Sequence, residues 1–75
     1  MSINRGMPVQ ALNALGDRID LIAATGVVAG EDFAVVWVCE PDEWARALGG
    51  GRDPEAVPWP AEAIRAARLP EAEAW

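Results

Sequence analysis

Pro8-Val9-Gln10-Ala11-Leu12-Asn13-Ala14-Leu15-Gly16-Asp17-Arg18-Ile19-Asp20-Leu21-Ile22-Ala23-Ala24-Thr25 is the stretch on which the fold turns. Val9, Leu12, Leu15, Ile19 and Ile22 recur in it at spacings of three and four, which places them on one side of a helix. Pro8 suits a first-turn position, where its missing N–H is no loss. Gly26 follows one turn after the last periodic residue, where a C-terminal glycine can sit. Gly16 interrupts the pattern, and Asp17 can open a second helical segment there. A strand over Ile19 to Thr25 competes with both readings. The expectation is an N-terminal helix.

C-terminal to this stretch, Phe33-Ala34-Val35-Val36-Trp37-Val38-Cys39 is rich in β-branched and aromatic residues and short enough for a buried strand. Its backbone groups need partners. Val27-Val28-Ala29 offers them across a Gly30-Glu31-Asp32 turn, and a second copy of the same strand in a dimer is the other source. A helix with Glu31 and Asp32 in its first turn is the alternative for a run this short.

Glu40-Pro41-Asp42-Glu43 stops the strand and opens a helix through Leu48, with an early proline and acids where the helix dipole favours them. Gly49-Gly50-Gly51 ends it. Arg52 to Pro60, with Pro54, Pro58 and Pro60, reads as an extended connection. A last helix is expected over Ala61 to Leu69, followed by a frayed acidic tail over 70–75. The fold class predicted is α+β in one small domain, 1–75. It has an N-terminal helix, a short β-hairpin or single core strand at about 27–39, and two short C-terminal helices; an all-α chain is the alternative.

The 75 residues contain no His and no Tyr, and all six basic residues are Arg. Imidazole, amine and phenol are the usual proton shuttles, metal ligands and Schiff-base formers, so their absence points away from an enzyme and from any cofactor. At 52% hydrophobic and 24% charged residues, the composition is that of a folded globule rather than a disordered acidic segment. The net charge of −6 falls in the second half: residues 31–75 carry ten acids against four Arg, and the first thirty residues balance. Such a field disfavours nucleic acid and anionic lipid and favours a basic protein. One cysteine forms no internal disulfide, Met1 to Val9 lacks the apolar core of a signal peptide, and no run approaches membrane-spanning length. The expected setting is cytoplasmic, off the membrane.

The candidate partner-binding residues are Glu31, Asp32, Glu40, Asp42, Glu43, Asp53, Glu55 and Trp59. The acids can form a docking surface; helix capping and solvation are the plain alternative, and the alternating acids of an EF-hand loop are missing. Trp59, between Pro58 and Pro60, is presented on a pre-ordered segment, which lowers the cost of fixing it against a partner. A small domain also uses such a Trp to seal its own core. Trp37 is assigned to the core, and Trp44 packs inward one turn before Leu48. Cys39 lacks a neighbouring cation and reads as a small core residue. The three glycines before Arg52 end a helix instead of preceding one, so they cap rather than cradle phosphate.

The functional expectation is a non-enzymatic, acidic protein-binding module that inhibits a basic nucleic-acid-binding protein or complex. Phage-encoded anti-CRISPRs and other DNA mimics share this format, which is an analogy of format only. Arginines interspersed among the acids favour an ordinary protein contact over pure mimicry. The alternatives are a self-associating structural or assembly subunit, a homodimer in its simplest form, and an antitoxin-like neutraliser.

Overall fold

Asn13 decides against a helix over Pro8 to Thr25. Its Oδ1 accepts the N–H groups of Leu15 and Asp17, both at 2.9 Å, and its own N–H donates to the Asp17 carbonyl at 2.9 Å. Gly16 turns the chain with a left-handed φ of 85°. The backbone thereby reverses, and two strands form where one helix was expected. In the computed structural model, which describes residues 3–67, these are β1 (Pro8–Leu12) and β2 (Arg18–Ala29). They pair antiparallel, Val9 opposite Leu21 and Ala11 opposite Ile19. Period-two burial replaces the helical stripe: Val9, Ala11, Leu21 and Ala23 are buried, while Leu15, counted for the helix, is 85% exposed.

The hairpin expected over about 27–39 is present. β2 pairs with β3 (Ala34–Cys39), with Val28 opposite Val35 and Ala29 opposite Ala34. Near its centre β2 bulges, with Ala24, Thr25 and Gly26 set against Trp37 alone, and the Trp37 N–H donates to the Thr25 hydroxyl at 3.3 Å. Only glycine fits at 26, because a Cβ there would lie 2.8 Å from the Ile3 carbonyl oxygen. Trp37 is not a core residue as expected. Its neighbours Val36 and Val38 point inward, so the alternation of the strand turns it out, 39% exposed.

The helix expected after Glu40 is α1 (Pro41–Gly50). Gly51 closes it in the left-handed conformation, and the N–H groups of Gly51 and Arg52 return to the carbonyls of Leu48 and Ala47. The extended connection ends in a strand, β4 (Val57–Pro60), which pairs with β3 at the edge of the sheet, where proline is tolerated. The second C-terminal helix and the all-α alternative are both overturned. Ala61–Ala63 makes one 3-10 turn and Ile64–Ala66 is a strand, β5, with Ile64 opposite Ala11. Open hydrogen-bonding positions on β1 outweigh the helix preference of this alanine-rich segment. The tail expected over 70–75 lies outside the described residues.

All pairings are antiparallel, and the order across the sheet is β4-β3-β2-β1-β5. β3 is thus flanked on both sides and has no free edge to offer a second copy. Four strand spacings of about 4.8 Å would part β4 from β5 by roughly 19 Å in a flat sheet. The chain from Pro60 to Ile64 spans at most about 14 Å, so the sheet must curl into a half-open barrel. Val9, Ala11, Leu21, Ala23, Val36, Val38 and Ile64 fill its interior, with Ile3, Trp59 and Ala61 packed against them. Trp59 lies on the inner side and donates its Nε1–H to the Leu12 carbonyl at 3.1 Å, tying β4 to the far end of β1. Among the described residues, no helix is long and apolar enough to cross a membrane.

Candidate functional site

β3 ends at Cys39, opposite Ile22, so the first residues of β2 run on without a partner on that side. Glu40 and Pro41 carry the chain off into α1, and a groove of about 990 Å³ opens in the notch. Ile19, Leu21, Val38, Val57 and Trp59 contribute its apolar lining, and Asp20, Glu40, Glu43, Glu55 and Arg46 its charged one. An apolar cleft with a few charged groups is the usual form of a binding site, and concave walls concentrate the field of charges lining them.

Glu43 fixes the shape of the groove. Its Oε2 accepts from Arg52 Nη1 at 2.7 Å and from the Glu55 N–H at 2.8 Å, and its Oε1 accepts from Arg52 Nη2 at 3.2 Å. The loop between α1 and β4 is thereby fastened to the first turn of the helix. The Arg52 hydrogen bonds, helped by the Glu55 amide, hold the Glu43 carboxyl down at about 2. A carboxylate so fully committed is a poor proton carrier at neutral pH. Cys39 lines the groove and is buried as expected; desolvation, reinforced by the charge of Glu43, pushes its thiol up against a smaller opposing pull from Arg5, a cation that the sequence did not place beside it.

A second set of contacts seats the N-terminal segment on α1. The Arg5 guanidinium stands 5.2 Å from the centre of the Trp44 ring and donates from Nη1 to the Ala24 carbonyl at 2.8 Å. Trp44 is therefore half-buried against its own chain, as expected, but Leu48, expected on the same inward face, is 59% exposed, and Ala47 is the buried residue of α1.

Four of the eight expected partner-binding residues, Glu40, Glu43, Glu55 and Trp59, meet at the groove. The others do not line it. Glu31 and Asp32 form the exposed β2–β3 turn, Asp42 is exposed on α1, and Asp53 is exposed in the following loop, 3.8 Å from Arg5. Trp59 packs against the core, as the second of its two readings expects, and it also lines the groove. Sequence reasoning missed Asp20, Ile19 and Leu21, because a helix over 8–25 does not bring them to this face, and Arg46, although its partner Glu43 lies three residues before it on the expected helix. The alternation from Arg18 to Leu21 was the available signal. No protein family, curated protein or solved structure matches the chain.

Proposed function

We propose that this protein is a non-enzymatic binding module that docks a basic segment of another protein in the groove at the open end of its barrel. One observation carries the reading: the charged residues lining an otherwise apolar groove are four carboxylates and a single arginine. Charge of this sign steers a basic partner and sets orientation, while the apolar floor supplies burial. Inhibition of a basic nucleic-acid-binding protein in the cytoplasm falls within this reading. Close mimicry of nucleic acid is less well supported. The acids divide between the groove and the β2–β3 turn, and Glu43 is already neutralised by Arg52.

The test is titration calorimetry with an acetylated, amidated peptide of sequence Gly-Arg-Leu-Arg-Val-Arg-Gly. Replacing Glu40 and Glu55 together by Gln weakens binding roughly tenfold, as expected for two screened charge contacts. Replacing Glu31 by Gln and Asp32 by Asn leaves it nearly unchanged. Equal losses in both double variants would mean that net charge, not the groove, does the binding. A self-associating subunit is the second reading, favoured by the outward exposure of Val28, Phe33 and Trp37 on the β2–β3 arm. A particle mass of twice the chain, insensitive to salt, would support it.

A further inference from the structure

Among the described residues Arg46 is the only cation lining the groove, and it is weakly held. Its Nη2 lies 3.7 Å from Glu43 Oε1, beyond hydrogen-bonding distance, and its side chain is 68% exposed. The oxygens it faces are already supplied by Arg52 and the Glu55 amide. Among the described residues the Arg46 side chain makes no hydrogen bond. An exposed pair of this kind contributes little to folding, so moving Arg46 away costs the fold little. Arg52 on the same carboxylate shows the geometry that a well-seated guanidinium adopts here, two-pronged at 2.7 and 3.2 Å.

We propose that Arg46 is a resident competitor for the groove: in the free protein its guanidinium stands beside Glu43 in the acidic lining, and a docking arginine takes that place as Arg46 swings further into solvent. The inference rests on the groove being the docking site, and it adds the partner's chemistry. The segment recognised presents a guanidinium beside a bulky apolar side chain, the first replacing Arg46 and the second lying on Ile19, Val57 and Trp59. Affinity is therefore set partly by a charge the protein itself holds in the way.

The same Arg-Leu-Arg-Val-Arg peptide tests this against wild type, Arg46→Gln and Arg65→Gln. Both substitutions remove one positive charge, but Arg65 sits on β5 and does not line the groove. Arg46→Gln tightens binding about three- to fivefold, the effect of removing one like charge at an exposed site close to the docking charge, while Arg65→Gln changes it less than about twofold. The melting temperature of Arg46→Gln stays at the wild-type value, since Glu43 remains held by Arg52. A peptide with citrulline in place of arginine binds weakly to all three proteins. Equal tightening by both substitutions would overturn the competitor role and leave the groove reading intact. Absence of binding, or binding unaffected by replacing Glu40 and Glu55 with Gln, would overturn the groove reading and the competitor role with it.

Discussion

Glu43 receives two hydrogen bonds from the Arg52 guanidinium and one from the Glu55 amide, and all three are strongest to the ionised carboxylate. Its folded pKa of about 2 lies below the usual value of 4.5, so its contribution to stability is fully present above that usual value. It fades as the pH falls toward 2. Thermal melts from pH 7 to pH 2 will show this loss in wild type. In Glu43→Gln the melting temperature is lower at pH 7, and its fall across the acid window is shallower; parallel curves would contradict the assignment. Trp59 supplies a second test at a single residue. Trp59→Phe keeps most of the ring's packing but leaves the Leu12 carbonyl without its donor, a loss of about 1 kcal/mol measurable by urea unfolding. An unchanged midpoint would mean that the indole N–H does not help close the barrel.

The β1–β2 hairpin depends on the Asn13 side chain, which holds two backbone N–H groups of its turn. Asn13→Ala removes both acceptors and should cost roughly 1–2 kcal/mol in chemical denaturation. A loss below about 0.3 kcal/mol would mean that strand pairing alone sets the turn. This element also explains what the sequence made legible. The β2–β3 hairpin and α1 could be read locally, because a β-branched run and a proline-acid-glycine frame each encode their own structure. The spacing of Leu12, Leu15 and Ile19 matches a helical period, whereas two of the residues buried in their place, Ala11 and Ala23, are small. Alanine carries little signal in a hydrophobicity pattern and yet fills a narrow barrel. Asn13 and Gly16 carry a turn signal, which the helical spacing of the apolar residues obscures. β5 was not legible at all from its own residues. An alanine-rich segment becomes a strand there only because β1 leaves an edge to be paired, a fact of the whole sheet. The groove was half legible for the same reason: Glu40, Glu43, Glu55 and Trp59 stand out by type, while Asp20 joins them only once the strands are placed.

At the scale of the whole molecule, a net charge of −6 surrounds a groove whose floor is apolar, so affinity should divide into a salt-sensitive and a salt-insensitive part. Raising salt from about 0.05 to 0.5 M should weaken binding of the arginine peptide without abolishing it, because the apolar contacts persist as charges are screened. With no histidine in the chain, affinity should stay level between pH 6 and 8. A midpoint within that window would point to a carboxylate shifted far from its ordinary range. The most direct test of the central claim is a proton–nitrogen NMR titration of the labelled protein with the arginine peptide. The account predicts that the Trp59 indole signal moves together with the backbone amides of Leu21, Glu40, Arg46 and Glu55, while those of Phe33 and Trp37 stay in place. Shifts confined to the β2–β3 arm, or none at saturating peptide, would contradict it.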